Sequence, residues 1–428
     1  MFKRILFLAN VFFVFFSEFL LYGFFQDYSF LIDRLTIRLA DINILYVKIF
    51  QAFALNNSLI DDETNNKLLK FTDNAPWNYS DINLYELIEM SDKYKIQLPY
   101  GYEVPINSGM ISLVFKGIKN DKPVIIKMKR TNIQNKLNDA IDNLLFTIYL
   151  LSFIPVINKY QFAEVVNKNI EIIRHQTNFL EEINNMDKIR ENCKNLKYVK
   201  IPTSHRNITE EYPNIIVMDY INGIKINEVN ECDYEPFAKL VVKFGIVTTI
   251  LHGVTHGDLH SGNILFIKDV DDTKCPYKIG VIDFGIIYEV GTQYKGLLFE
   301  IFTQMFEKPP RETAEKLLNS GIIEPPEILR QISKKEYNKL LEFTTDIVND
   351  TIYSSKKANQ LQIYKFLSKF KECFSNSSLP IRPSDDFVKS QLVLAMAHGV
   401  TLTLCKEEFV GLMDKAINEL FNTKMLFE

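Results

Sequence analysis

One stretch of this chain, residues 254–285 (VTHGDLHSGNILFIKDVDDTKCPYKIGVIDFG), restricts the possible folds more than any other. It carries His256-Gly257-Asp258, then Asn263 five residues after the Asp, then Asp283-Phe284-Gly285 twenty residues further on. Two apolar runs, 264–267 and 278–282, flank the polar segment 268–277, which is the pattern of two strands joined by a turn. Such a hairpin brings Asn263 and Asp283 to one end. A carboxylate beside an amide oxygen is a donor set that hard divalent cations take.

HGD and IDFG are each short enough to recur by chance, but in this order and joined by a hairpin they form the protein-kinase-like signature H-x-D-x-x-x-x-N followed by D-F-G. Phosphoryl transfer asks a protein for positioning and charge neutralisation rather than covalent chemistry. In this reading Asp258 orients a hydroxyl or water, and Asn263 and Asp283 hold the Mg2+ ions of a bound ATP. A zinc reading competes, because His252, His256 and His260 recur every four residues. Gly253, Gly257 and Gly262 argue against the helix it needs, and no cysteine adjoins them.

With 428 residues the chain can form two lobes with a real core. A net charge of −4 gives no general attraction to nucleic acid, so no nucleic-acid partner is expected. The basic run Lys127-Met128-Lys129-Arg130 reads as a solvated strand end rather than a binding patch. The five cysteines are odd in number and form no C-x-x-C pair, which fits reduced thiols facing a cytosol.

The N-terminus, MFKRILFLANVFFVFFSEFLLYGFF, is the compositional anomaly. Three readings compete: a membrane anchor or interfacial helix, a helix buried against the protein, and a secretory signal. No small-x-small cleavage site follows, and unpaired cysteines speak against export. Asn10 and Glu18 lie inside the apolar run and weaken a simple span. Residues 29–92 read as two or three helices broken by the acidic residues 61–63 and a turn at 74–77.

From residue 99 the period changes, and 100–106, 111–118 and 124–128 read as strands separated by turns at 107–109 and 119–121. The third ends in Val124-Ile125-Ile126-Lys127, an apolar run closed by a lysine that could sit on a nucleotide's phosphates. Helical patterns follow at 133–151 and 160–194. The second holds Glu181 and Glu182, either of which could pin Lys127; helical geometry alone does not choose. Residues 215–220 read as a buried strand entering a hinge, with backbone groups at Asp219 and Tyr220 open to adenine. The remainder is mainly helical, at 294–307, 313–319, 335–351, 361–374 and 386–404. An A-P-E element is missing, so peptide-substrate docking gains little support.

Together these residues resemble the UbiB-type atypical kinases, the aarF-domain family linked to ubiquinone biosynthesis. HGDLHSGN (256–263) is similar to the family's H-x-D-x-H-P-G-N, with Ser261 in place of Pro, and NFLEEINN (178–185) to D-[FY]-x-x-E-x-x-N. MDYING (218–223) resembles M-E-Y-x-x-G, and Lys48-Ile49-Phe50-Gln51 falls where the family has K-x-G-Q. The resemblance covers residues from about 35 to 410. It selects Glu182 as the partner of Lys127. It places Ser108, Gly109, Lys127, Met218, Asp219, Tyr220, Lys48 and Gln51 around ATP, with Asp258, Lys127 and Glu182 catalytic and Asn263 and Asp283 on Mg2+. Phe50 replaces a Gly, Asn178 an Asp, and PINSGMISLV (105–114) an Ala-rich loop.

What the resemblance implies is an α+β, two-lobed protein-kinase-like fold with a helical N-terminal extension and a mainly helical C-lobe. The expected division is an apolar segment 1–28, an extension 29–98, an N-lobe with a helical insert 99–219 and a C-lobe 220–428. The implied activity is MgATP binding with ATPase or kinase turnover on or near membrane lipids or quinone precursors, membrane-associated on a cytosol-facing or organellar membrane, with little protein phosphorylation in trans. Two alternatives stand beside it: a small-molecule phosphotransferase of the aminoglycoside or choline kinase type, and a nucleotide-gated scaffold with negligible turnover.

Overall fold

The computed structural model describes residues 2–43, 45–46, 75–151, 170, 174–292, 294–296, 309–319, 321, 323–325, 327–350, 382–405, 412, 415–416 and 419. Its contacts divide the chain into two units, residues 1–184 with 203–220, and residues 185–202 with 221–428.

The first unit opens with two helices, α1 (Phe2–Phe25) and α2 (Tyr28–Ile42), packed against each other. Asp27 starts α2 by accepting the Phe30 N–H at 2.9 Å, which satisfies one of the donors a helix start leaves open. Val14, Leu39 and Ala40 form one apolar cluster with Leu137, Ala140 and Ile141 of α4 (Ile133–Leu151). A second cluster lies on an antiparallel sheet ordered β1 (Ile96–Gln97), β3 (Ser112–Lys119), β4 (Lys122–Lys129), β6 (Ile215–Asp219), with β2 (Asn107–Ser108) also on β3; β5 (Val199–Lys200) belongs to the second unit. Leu113, Phe115, Ile126 and Val217 alternate onto the face covered by α3 (Leu84–Lys93) and by Ile208 and Tyr212. Gly117 permits β1 to approach, since a Cβ there would stand 2.7 Å from Ile96 Cγ2.

The expected strand over 100–106 is not one. Tyr102 N–H bonds Pro99 O and Val104 N–H bonds Gly101 O, so the segment is a succession of turns, and Tyr100, Val104 and Ile106 face solvent. Its apolar side chains mimic a strand pattern without a sheet face to bury them. The helix expected over 160–194 is described only in part, and it breaks at 176–178 before α5 (Phe179–Asn192). Asn178 starts α5 by accepting the Glu181 N–H through its side chain and the Glu182 N–H through its carbonyl.

The second unit holds a small sheet ordered β5, β9 (Tyr277–Val281), β8 (Ile264–Lys268), and a separate pair, β7 (Val254–His256) with β10 (Ile287–Glu289). The hairpin expected over 264–282 is therefore β8 paired antiparallel with β9. Phe237, Val241 and Phe244 of α6 (Tyr234–Ile246) are buried, and α6 packs against the helix Asp385–Leu404, whose Val393, Ala397 and Val400 recur at helical spacing. The helix expected over 361–374 and most of that over 294–307 lie outside the described residues.

Candidate active site

In the first unit, Lys127 sits on β4 between Val114 of β3 and Ile216 of β6, so its stem is walled by sheet neighbours. Its Nζ lies 2.6 Å from Glu182 Oε1 on α5, with both residues buried. Glu181, one position earlier, keeps 40% of its side chain exposed and pairs with His175 at 3.1 Å. Tertiary placement thus makes the choice that helical geometry left open.

Ser108 and Gly109 are held by Arg130 rather than standing free. Ser108 Oγ donates to Ala75 O at 2.7 Å and accepts from Arg130 Nη2 at 2.8 Å. Gly109 O accepts from Arg130 Nε and Nη2 at 3.0 and 2.8 Å. Arg130 Nη1 reaches Pro76 O at 2.7 Å and Asp81 Oδ2 at 2.9 Å. A planar fork of five donors matches such a cluster of oxygens, which a lysine would not. This corrects the reading of 127–130 as a solvated strand end, for Lys127 and Arg130 are both buried. The sequence signal that could have found Arg130 is faint: a basic residue at the end of an alternating strand, with an acid well upstream.

Met218 is buried and Asp219 exposed at the end of β6. Asp219 N–H bonds Thr203 O at 3.0 Å and Tyr220 N–H bonds Pro123 O at 3.3 Å, so both hinge N–H groups have partners within the unit. Lys48 and Gln51 lie outside the described residues.

In the second unit, the loop after β7 is folded around two imidazoles. Asp258 N–H donates to His256 Nδ1 at 3.1 Å, so the proton of the neutral ring sits on Nε2, which donates to Asp283 O. Burial pulls His256 below the ordinary histidine range, favouring that neutral form. Gly262 N–H likewise donates to His260 Nδ1 at 3.1 Å, and His260 Nε2 stands 3.9 Å from Asp258 Oδ2. These contacts occupy three of the nitrogens that the zinc reading requires. Asn263 Nδ2 donates to Asp258 O at 2.9 Å, and the amide's Oδ1 is an oxygen acceptor. Asp283 is held at φ 63°, sparsely populated for a residue with a side chain, and its Oδ1 accepts the Gly285 N–H at 3.2 Å. Phe284 is fully buried with its ring edge-on to His256, and Asn185 Nδ2 donates to Phe284 O at 3.0 Å. Oxygen donors on Asn263 and Asp283 fit Mg2+.

Residues 83–317 match the model of the ABC1 atypical kinase-like domain, more than half of the chain. The chain belongs to that family. It is 25% identical over 299 residues to the probable protein kinase UbiB of Shewanella sp. (strain W3-18-1), covering 68% of this chain and 53% of that protein. It is 22% identical over 291 residues to the chloroplastic protein ACTIVITY OF BC1 COMPLEX KINASE 8 of Arabidopsis thaliana, covering 65% of this chain and 37% of that one. The chain therefore spans about half or less of the length of these relatives. Among solved structures it is similar to Rv3197 of Mycobacterium tuberculosis in complex with erythromycin, at a TM-score of 0.48 and 18% identity, over 86% of this chain and 90% of that one. The ABC1 match makes residues 83–317 an atypical kinase-like domain, and the described helices and sheets give it an α+β fold.

Proposed function

We propose that this ABC1-family chain binds MgATP and hydrolyses or transfers its γ-phosphate at a membrane, acting on lipids or quinone precursors rather than on proteins. The buried Lys127–Glu182 pair is the observation that supports it best. A buried ion pair gains little net stability over an apolar pair, so its presence favours a functional reason. Lys127, fixed by Glu182, takes a phosphate oxygen. Asn263 and Asp283 would hold magnesium, which when bound would neutralise charge on the phosphate oxygens. Asp258 accepts or orients the proton of the attacking hydroxyl or water, and His260 Nε2 faces its carboxylate.

The test is the unfolding temperature with and without MgATP, beside Asp283→Asn. At about 100 times its dissociation constant a ligand stabilises by roughly 2.7 kcal/mol. A magnesium-dependent rise that Asp283→Asn abolishes supports the reading; no rise in the parent protein rejects it.

The scaffold alternative gains from the engagement of Ser108 and of both hinge N–H groups. Asp258→Asn separates the two: an ATPase or kinase loses turnover, whereas a scaffold retains nucleotide-dependent partner binding.

A further inference from the structure

Helix α1 is apolar on nearly every side, yet only one narrow seam of it is covered. Phe7, Val14 and Glu18 are buried and Val11 half-buried, steps of four, three and four residues that line one side of a helix. Val11 and Val14 meet the cluster formed with α2 and α4. The outward side carries Ile5, Phe12, Phe13, Phe16, Phe19 and Leu20, each at least half exposed. Within Ile5–Phe25 the most apolar 18 residues have a mean hydropathy of 2.1, with 17% of them buried.

The acid that weakened a membrane reading from sequence is absent from this surface. Glu18 is 1% exposed, and its carboxylate takes Arg34 Nε at 2.9 Å, Arg34 Nη2 at 3.1 Å and a bond from Arg38 Nη1. Among the residues whose side chains are described, α1 itself carries no ionised group on its outward side and has Asn10 as its main polar side chain there, while Arg38 of α2 stands 5.9 Å over the Phe13 ring at the edge. A protein partner would find almost nothing there to hydrogen-bond, whereas the hydrocarbon edge of a bilayer asks for nothing else. The seam also fixes direction. Between positions 7 and 18 α1 rises about 17 Å, over half of a bilayer's roughly 30 Å core, with the protein alongside. Crossing the membrane would carry Asp33, Arg34, Arg38 and Asp41 of α2 toward its interior.

We propose that α1 lies in the plane of a membrane, its phenylalanine side sunk into neutral lipid and its Glu18 seam clamped to α2, so that the chain rests on one leaflet instead of spanning both. This rests on the membrane part of the reading above and is independent of the nucleotide part.

The test is flotation of the full chain with phosphatidylcholine vesicles in high salt, followed by external protease acting on an N-terminal epitope tag. The expected result is flotation with the tag cleaved. F12S/F16S/F19S, changed only on the outward side, is expected to keep the parent's circular dichroism and to lose flotation by more than tenfold. Flotation with a protected tag overturns the in-plane arrangement while leaving membrane binding intact. No flotation, with a dimer by light scattering that the triple variant converts to monomer, overturns the lipid assignment in favour of a second copy. The MgATP shift is read separately and none of these outcomes bears on it.

Discussion

Lys127 Nζ and Glu182 Oε1 stand 2.6 Å apart, with 9% and 1% of the respective side chains exposed. Removing one member takes this partner from a charge that stays buried, at about 3–5 kcal/mol. Glu182→Gln is expected to lower stability in urea by that amount and to weaken MgATP binding, read by calorimetry. Lys127→Ala should also weaken binding; unchanged kinetics would remove Lys127 from the phosphate site.

The Arg130 hub predicts an acid-sensitive contribution to stability. Burial alone would raise Asp81, but Lys136 at 2.6 Å, the Asn78 N–H and Arg130 outweigh it and hold the carboxyl below its ordinary value. A carboxyl depressed in the folded state contributes stability above its unfolded pKa of about 3.9, and that stability is lost as pH falls through the folded value. Urea unfolding from neutral pH down to about pH 3 should show the loss. Asp81→Asn should remove about 3 kcal/mol near neutrality and flatten the acid limb.

Gly257 has no room for a side chain. A Cβ would lie 2.4 Å from Ile286 Cγ2 and 3.2 Å from Ile286 O, where Gly257 N–H bonds that same carbonyl at 2.9 Å. Gly257→Ala is expected to cost about 1–3 kcal/mol by overpacking and to shift the loop bearing Asp258. Thermal unfolding and ATP turnover should fall together; an unaltered melting temperature would contradict the contact.

Among the described cysteines, burial pushes the Cys193 thiol up to about 12, while Cys232 is exposed. The thiolate is the reactive form. Iodoacetamide on the native protein should therefore label Cys232 and spare Cys193 until denaturant is added, as read by peptide mass spectrometry.

The hairpin over 264–282, which appears as β8 and β9, and the helix over 133–151, which appears as α4, were legible because their apolar spacing is local to each segment. The segment 100–106 was misread because Tyr100, Val104 and Ile106 have strand-like composition, and local pattern carries no information on whether a sheet edge is there to receive them.

By itself the sequence determined the family and the kinase-like fold class, and it offered Lys127, Asp258, Asn263 and Asp283 as candidates in a fixed order, since these follow from local order along the chain. Only the tertiary structure chose Glu182 over Glu181, buried Arg130 beneath Ser108 and Gly109, and hid Glu18 against Arg34 and Arg38. Each of those pairs joins residues 16 to 55 positions apart, where the partner of a charge is set by packing of separate elements and by the cost of leaving that charge buried without one.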